Sequence, residues 1–205
     1  MNQWIPVQQF IGTQIRLDAL DPIGHRDGLI AAGADARIWD YILFAPADTP
    51  AGMDAHISEV IRRRDAGLEV PYVIVRQHDD TIVGLTRFLD LRPAHRSLEL
   101  GTWLNPQVHG DGTNVEVKLL MLMYAFETLN CIRVQIKTNA NNKGAQRSLE
   151  ALGATYEGCL RNHIITPNGG IRDSFFYSIL DREWPAVKIR LQQRLHKRHH
   201  EGGTA

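Results

Sequence analysis

The sequence has few cysteines, and the two it contains, Cys131 and Cys159, do not form a CxxC motif. Two cysteines are too few for the disulfide scaffold of a small secreted protein, so we expect a cytoplasmic location and two buried thiols. Long apolar runs are also missing, since the longest, 119–123, is far below the roughly 20 residues of a membrane helix. Residues 1–6 lack a basic segment followed by an apolar stretch, which argues against a secretion signal.

An excess of charge of one sign is absent as well, because 23 lysines and arginines balance 23 aspartates and glutamates. A balanced chain has no net field that attracts a polyanion, so we expect neither a nucleic acid nor a membrane surface as a partner. The hydrophobic fraction of 43% and the charged fraction of 22% are typical of a globular protein. At 205 residues the chain can bury a core unaided, and we expect one domain over 1–198 and a disordered tail over 199–205.

Apolar periodicity predicts mostly hairpin-linked strands with helices inserted late. Strands are predicted at 14–20, 71–75, 81–89, 97–104, 131–137, 155–165 and 171–180. Helices are predicted from Asp21 onward and at 53–66, 113–129, 142–152 and 181–198, whereas 33–49 is expected to be a loop with aromatic anchors. In strand 97–104, Glu99, Gly101 and Trp103 alternate with the leucines and therefore lie on the opposite face. This order indicates an α+β domain around one mixed sheet.

The segment 104–114 runs from a strand end through a glycine-containing loop into the longest predicted helix. Gly110 and Gly112 allow a tight turn, and the free N–H groups of a helix N-terminus favour an anion such as a pyrophosphate. No GK[ST] follows the glycines and the third glycine of a GxGxxG motif is missing, which excludes a P-loop and argues against a dinucleotide fingerprint. The spacing alone leaves a phosphate site and a structural turn equally open.

The same loop resembles a known family. Gln107–Gly112 is similar to the Q/R-x-x-G-x-G/A motif of the GCN5-related N-acetyltransferases (GNAT), and Leu98–Leu104 resembles the E-I-G-x-W-L strand of their RimJ/RimL-like branch. Asn142–Arg161 is similar to the N…E-x-L-G-A/F-x-x-E-G-x-x-R block of that branch, and Arg172-Asp173 with Tyr177 continues it. The resemblance covers about 15–180. It implies a central mixed, mostly antiparallel, twisted sheet flanked by helices, and acetyl transfer from acetyl-CoA to a primary amine.

The resemblance also implies where acetyl-CoA binds. Amides of the loop would hold the pyrophosphate, the end of strand 97–104 would pair with the pantetheine arm and steady the oxyanion, and no metal is needed. The implied coenzyme-binding residues are Trp103, Leu104, Gln107, Val108, His109, Gly110, Asp111, Gly112, Thr113, Asn114, Asn142 and Arg147. Asn142 matches the asparagine that bonds the pantetheine. Arg147 and Lys143 are candidates for the 3′-phosphate, and a solvated helix face is the alternative for each.

Two residues are candidates for proton transfer. Glu99 resembles the glutamate near the acetyl group, where it would act as the base for the attacking amine. The alternative is a carboxylate that is hydrogen-bonded structurally within the sheet. Many relatives have a serine where this chain has Ala145, so Ser148 is the candidate acid for the thiolate, with an ordinary surface serine as the alternative. A thiol with a pKa of about 8.5 also leaves without an acid.

Other functions and features stay open at this point. A catalytically silent CoA-binding sensor is the alternative to an enzyme, and a longer acyl chain is a further possibility. The acceptor is a protein N-terminus or a small-molecule amine, faced either by Asp173 and Tyr177 or by neither if they only pack within their strand. The remaining ambiguities are between pocket and core for Trp39, between a homodimer contact and intramolecular packing for Trp184, Val187 and Leu191, and between a metal tract and a solvated tail for His196, His199 and His200.

Overall fold

A computed structural model describes residues 4–6 and 8–201, which form one eight-stranded sheet and five α-helices. The strands are β1 (Phe10–Ile11), β2 (Ile15–Ala19), β3 (Glu69–Arg76), β4 (Ile82–Arg92), β5 (Ser97–Leu104), β6 (Arg133–Asn139), β7 (Thr155–Ile165) and β8 (Ile171–Leu180). The α-helices are α1 (Arg26–Gly33), α2 (Pro50–Asp65), α3 (Thr113–Met123), α4 (Lys143–Leu152) and α5 (Trp184–Glu201). Short 3₁₀ helices lie at Ala36–Tyr41, Pro93–His95 and Pro106–Val108, and a π-helical turn, Tyr124–Thr128, extends α3.

The sheet has the strand order β1-β2-β3-β4-β5-β6-β8-β7, and β5 and β6 are its one parallel pair among the described strands. This arrangement confirms the predicted mixed, mostly antiparallel sheet flanked by helices. The parallel pairing covers only Ser97–Arg133, Leu98–Val134 and Glu99–Gln135. Beyond these three pairs, β5 continues alongside β4 and β6 continues alongside β8, so a gap opens in the middle of the sheet.

The two faces of the sheet carry separate cores. One, the leucine face, packs the predicted leucines Leu98, Leu100 and Leu104 against α3, α4 and α5. On the opposite face, α1 and α2 cover β3 and β4, and Trp103 belongs to that second core. The predicted alternation along β5 is therefore confirmed. Trp184, Val187 and Leu191 are buried in the leucine-face core of their own chain, so they offer no surface for a dimer.

The structure differs from the predicted elements at several places: strand β1 was not predicted, and the bounds of β3, β4, β6 and α2 differ by one to three residues. Asp21 does not begin a helix, because its carboxylate accepts a hydrogen bond from the Ile23 N–H at 3.0 Å and forms a turn, and α1 begins only at Arg26. The predicted loop 33–49 contains the 3₁₀ helix Ala36–Tyr41. Helix α5 begins at Trp184 rather than at Asp181 and is described through Glu201, while 202–205 lie outside the described residues. None of the helices in the described part of the chain is long and apolar enough to cross a membrane.

Candidate active site

The gap between β5 and β6 leaves the main-chain edge of β5 over 100–104 without a partner strand among the described residues. These residues pair with β4 on one side, and on the other side no described strand pairs with them. An exposed strand edge presents N–H and C=O groups in a row, which an extended ligand with its own amides can pair with. The gap is therefore shaped for a ligand that is linear and rich in amides.

The free edge of β5 leads directly into the loop 105–112. The Asn105 side chain accepts a hydrogen bond from the Gln107 N–H at 2.9 Å and donates to the carbonyl oxygen of Ala32 at 3.1 Å, while Val108 is buried. These contacts anchor the first half of the loop. Gly110 and Gly112 have φ angles of 90° and 110°, in the left-handed region that favours glycine, and Gly112 is the residue that caps α3.

The second half of the loop forms a set of free donors at the N-terminus of α3. Nothing in the described chain accepts a hydrogen bond from the backbone N–H groups of Gly110, Asp111 or Gly112. A Cβ built on Gly110 meets no atom within 4 Å, so the space beside it is open. The Asp111 carboxylate accepts from the Thr113 N–H at 2.8 Å and so occupies one amide of the first turn. Free amides at the positive end of a helix fit a phosphate or pyrophosphate.

The remaining residues predicted to bind coenzyme lie beside this loop on α4. The Asn142 side-chain oxygen accepts from the Ala145 N–H at 2.9 Å and caps α4, which leaves its Nδ2 group as the donor for a ligand. Arg147 is exposed. The Ser148 hydroxyl accepts from Asn114 Nδ2 at 3.3 Å, which joins α4 to the first turn of α3. Because α4 packs on the leucine face, Ser148 lies on the opposite side of the sheet from Glu99.

Glu99 is 3% exposed and lies at the point where β5 and β6 separate. The Lys137 ammonium is 2.7 Å from its Oε1 and 2.9 Å from its Oε2, and Gln135 Nε2 donates to Oε2 at 3.0 Å. A carboxylate has about four lone-pair positions, so Oε1, with one bond, keeps a position for another donor. Glu99 is thus both structurally hydrogen-bonded and able to accept one further proton or hydrogen bond.

Three further polar residues lie on the Glu99 face. Lys137 and His163 were not singled out in the sequence, and Arg172 was quoted there only within the family motif, with no role assigned. Lys137 pairs with Glu99, Arg172 of β8 is buried at 5% exposure, and His163 of β7 packs its ring on Phe176 at 5.3 Å between centroids. Burial, together with the charges of Lys137 and Arg172, lowers the pKa of His163. A role for Arg172 could have been considered because this residue shares the face of Ser174 within a strand that is otherwise largely apolar.

Other predicted site residues have structural positions. Trp39 is buried and donates from its indole to the carbonyl oxygen of Gly33 at 2.9 Å, so it is the core anchor that was the alternative. Tyr177 is buried in the leucine-face core, on the side of the sheet away from Glu99, and does not face an acceptor there. Asp173 accepts from the Asn162 N–H at 2.6 Å and fixes a bulge in β7.

The cysteines differ in their surroundings. Cys131 is buried, and burial raises the pKa of its thiol to about 11. Cys159 is exposed, so the prediction that both thiols are buried is wrong for this residue. The reason is its place on β7, which is the edge strand of the sheet and presents most of its side chains to solvent.

Buried polar atoms also lie next to the Trp103 side chain, on the face of the sheet that α1 and α2 cover. The His56 ring is 4% exposed and lies 6.4 Å from the Trp103 ring and 5.4 Å from Trp39, centroid to centroid. Burial and the nearby Arg87 charge lower the pKa of His56 to about 4. Neither ring nitrogen of His56 nor the Trp103 indole nitrogen has a hydrogen-bond partner within the described residues. Trp103 therefore contributes main chain to the gap and side chain to the core.

Comparison with known proteins gives consistent matches. The family model described as "Acetyltransferase (GNAT) domain" matches residues 15–155. YdaF of Bacillus subtilis (strain 168), provisionally named as a ribosomal N-acetyltransferase, is 28% identical over 158 residues, which are 74% of this chain and 82% of that protein. A crystal structure from T. thermophilus, provisionally named an acetyltransferase, matches with a TM-score of 0.86 at 35% identity and covers 94% of this chain and 100% of that chain.

A more distant neighbour supports the fold alone. A Vibrio cholerae structure, provisionally named a ribosomal-protein-serine acetyltransferase, matches with a TM-score of 0.72 at 16% identity. The match covers 88% of this chain and 99% of that chain. At this identity the likeness extends to the order and packing of the elements, and not to the acceptor.

Proposed function

The chain belongs to the GNAT acetyltransferase family, and on that premise we propose that it transfers an acetyl group from acetyl-CoA to a primary amine. One observation supports the choice of coenzyme above the others: the unpaired edge of β5 runs directly into a loop whose N–H groups are free at the N-terminus of α3. A linear arm of amides followed by a pyrophosphate has the same order of chemical groups. The residues present therefore fit acetyl-CoA.

Main-chain groups of the protein carry most of this proposed binding. The edge of β5 at 100–104 pairs with the amides of the pantetheine arm, and the N–H groups of Gly110–Gly112 bind the pyrophosphate. Asn142 donates from Nδ2 toward the pantetheine, and the exposed Arg147 on α4 approaches the 3′-phosphate. Bound acetyl-CoA supplies an acetyl group that is activated as a thioester.

Glu99 is the proposed acceptor of the proton that the amine loses. The amine has to be neutral to form its bond to the carbonyl carbon, and the sulfur leaves as a thiolate in the same reaction. Oε1 of Glu99 takes the proton directly or through one water, while Lys137 and Gln135 hold the carboxylate in place. Ser148, which accepts from Asn114 and keeps its own O–H proton, is the proposed donor toward the thiolate.

The class of the acceptor is inferred here from the name of a relative, and not from a contact within this chain. YdaF carries a name that refers to a ribosomal N-acetyltransferase, which supports a protein N-terminus as one acceptor. A small-molecule amine is the other. A cytoplasmic location suits both acceptors, and it also suits the two free cysteines.

A catalytically silent CoA-binding sensor is the second candidate function. It is favoured by Ala145, which replaces the serine that many relatives have, and by the ion pair that engages both oxygens of Glu99. The two functions share the coenzyme site and differ only in whether an amine is acetylated. Release of free thiol is therefore the measurement that separates them.

The test is a calorimetric titration with acetyl-CoA and with CoA, followed by a thiol-release assay with a panel of primary amines. Binding of both coenzyme forms, with thiol release that depends on an amine, supports the transferase. Binding without release under any amine supports the sensor. Absence of binding to either form contradicts the coenzyme assignment and both functions with it.

A further inference from the structure

Among the described residues, Arg172 is a buried cation without an anionic partner. Its Nη1 donates to the carbonyl oxygen of Tyr41 at 2.9 Å, and its Nε donates to the Ser174 hydroxyl at 3.1 Å. No carboxylate of the described residues lies within ion-pair distance of its guanidinium. Burial accordingly lowers the pKa of Arg172, while the charge of Glu99 acts in the opposite direction. Burying an arginine is costly unless an anion pairs with it.

The charges around Arg172 do not cancel on this face. Glu99 is the carboxylate that acts on Arg172, and Lys137 already neutralises it at 2.7 Å. His163, between Lys137 and Arg172, has its pKa lowered, and its Nδ1 is buried without a hydrogen-bond partner within the described chain. One positive charge and one polar nitrogen are therefore left over beside Glu99. This surplus favours an anionic ligand.

This part of the sheet is open to a ligand. Helices α1 and α2 cover β3 and β4 on the Glu99 face, and the segment that reaches Arg172 is the end of the 3₁₀ helix at Tyr41. Lys137 and Phe176, which lie between Glu99 and Arg172 on the face, are only half-buried. A small anion can therefore approach the free Nη2 edge of Arg172 from solvent.

We propose that Arg172 binds a carboxylate group of the acceptor, so that the acetylated amine belongs to a molecule that also carries a carboxylate. A guanidinium donates two parallel N–H bonds to a carboxylate, which fixes orientation as well as distance. His163 Nδ1 supplies a second polar contact, and Glu99 receives the amine end. The inference rests on the proposed acetyl transfer. The carboxylate belongs either to a free amino acid or to an acidic side chain next to a peptide N-terminus.

The test compares acceptors in matched pairs that differ only in this charge. The pairs are amino acids and their amides, and peptides with Asp or Glu at the second position and the same peptides with Asn or Gln. We expect kcat/KM of the wild-type protein to be about 10-fold or more higher for the anionic member, as for a charge-assisted hydrogen bond. Preference within the amino acid pairs alone, or within the peptide pairs alone, identifies which source carries the carboxylate.

Two variants attribute the preference to Arg172. Arg172→Gln is expected to raise KM for the anionic acceptor to the value of its neutral partner. KM for the neutral acceptor and the affinity for acetyl-CoA are expected to stay unchanged. Arg172→Lys, which keeps the charge and loses the fork, is expected to retain part of the preference. Arg182→Gln makes the same change in charge at an exposed position just after β8 and is expected to retain all of it.

A measurement on the wild-type protein does not depend on the variants folding. Carboxylic acids that lack the amine are expected to inhibit competitively against the acceptor and not against acetyl-CoA. Equal kcat/KM within every pair, a preference that survives Arg172→Gln, or absence of this inhibition overturns the inference and leaves acetyl transfer intact. Absence of thiol release with every amine contradicts acetyl transfer itself, and this inference with it.

Discussion

Among single residues, Glu99 has two roles, one in the structure of the sheet and one in the proposed reaction. Its ion pair with Lys137 ties β6 to β5 where the strands separate, and the same carboxylate is the proposed base. A base that is held by other donors loses rotational freedom but gains a fixed position, which general base catalysis requires. Whether Glu99 can act as the base depends on the remaining lone-pair position on Oε1.

Glu99→Gln tests whether Glu99 acts as the base. An amide cannot take a proton, so we expect kcat to fall about 100-fold or more, as for loss of a general base, and the acidic limb of the pH profile to change. The measurement is kcat and kcat/KM from thiol release against pH, with calorimetry to verify that acetyl-CoA still binds. Glu59→Gln is the control, because the Glu59 carboxylate pairs with Arg62 on the same helix, α2, and within the described residues makes no hydrogen bond or ion pair with Glu99 or its partners. An unchanged pH profile would remove Glu99 from the mechanism.

His56 makes folding stability depend on pH. Its pKa is about 4 in the folded protein and 6.5 in the unfolded chain, so the unfolded state binds more protons between these values. Stability is therefore present above pH 6.5 and is lost as the pH falls toward 4. The full loss is about 3 kcal/mol, because one pKa unit corresponds to about 1.36 kcal/mol.

We expect His56→Phe to remove this dependence. Phenylalanine fills a similar volume among the aromatic rings and leaves no unpartnered nitrogen. The free energy of unfolding from denaturant titrations at pH 7 and at pH 4.5 should then fall less for the variant than for the wild type. The exposed His95→Phe is the matched control and should behave as the wild type. Parallel curves for His56→Phe and the wild type would contradict the assignment.

Residues such as Arg172 and His163 show what the sequence does not reveal. The position of Glu99 follows from alternation along one strand, and the glycines of the loop are visible as a motif. Lys137, His163 and Arg172 come from three different strands, so their proximity depends on sheet order and on a bulge in β7. Local periodicity predicts neither the order of the strands nor the bulge.

Among the elements, α3 does more than present its N-terminus. Its buried Glu116 accepts from the backbone N–H of Thr13, from that of Gln14 at 3.0 Å and from that of Ile15 at 3.2 Å. Its buried Lys118 donates to the hydroxyl of Thr102 on β5, and burial lowers the pKa of this lysine to about 8. These two contacts fix the helix, and therefore the loop before it, against both the first hairpin and β5.

The loop is expected to depend on Gly110. Gly110→Val places a β-branched residue at a φ of 90°, so the loop has to change conformation, although its Cβ meets no neighbour within 4 Å. We expect acetyl-CoA affinity to fall at least about 10-fold, since such strain costs on the order of 1–3 kcal/mol, with little change in fold.

Calorimetry and circular dichroism check this expectation. Gly169→Val is the control, because Gly169 has a φ of 81° in the β7–β8 turn and also has nothing within 4 Å of its Cβ position. Unchanged affinity in Gly110→Val, with affinity also unchanged in the control, would contradict the assignment of the loop.

Most of the strands were predictable, although the two-residue β1 was not, and the irregular segments were not. Strand β5 matches its prediction to the residue, and β7 and β8 do as well, because their alternation or their flanking turns mark both ends. The 3₁₀ helix Ala36–Tyr41 escaped prediction because its position depends on burying Trp39 against Trp103, 5.3 Å away between ring centroids. Contacts between distant segments decide such regions.

At the scale of the whole molecule, the proposed coenzyme takes the place of a strand, because it pairs with the edge of β5 at the gap. Residues 100–104 pair on one side only, so their outward amides depend on solvent or on a ligand for hydrogen bonds. Among the described strands, β5 is thus the one inside the sheet whose edge is left unpaired over several residues, in contrast to the outer strands β1 and β7. Binding should change the protection of these amides more than that of any fully paired strand.

Hydrogen exchange measures this effect. With saturating acetyl-CoA we expect slower exchange of amides in 100–104 and 110–112 and no change in β3, which is paired on both sides. The melting temperature should rise as well, because ligand at 100 times Kd adds about 2.7 kcal/mol. Protection confined to 110–112 would contradict pairing along β5 and leave only the phosphate site.

Because β5 and β6 pair over only three residues, side chains as well as main chain join the two halves of the sheet. On the leucine face, a close-packed core under α3 joins both halves of the sheet and resists compression. On the opposite face, side-chain hydrogen bonds from Glu99 and Arg172 cross between the halves. A bend that widens the gap toward that face would stretch these bonds. The contacts that hold Glu99 and Arg172 in place therefore also hold the two halves of the sheet together.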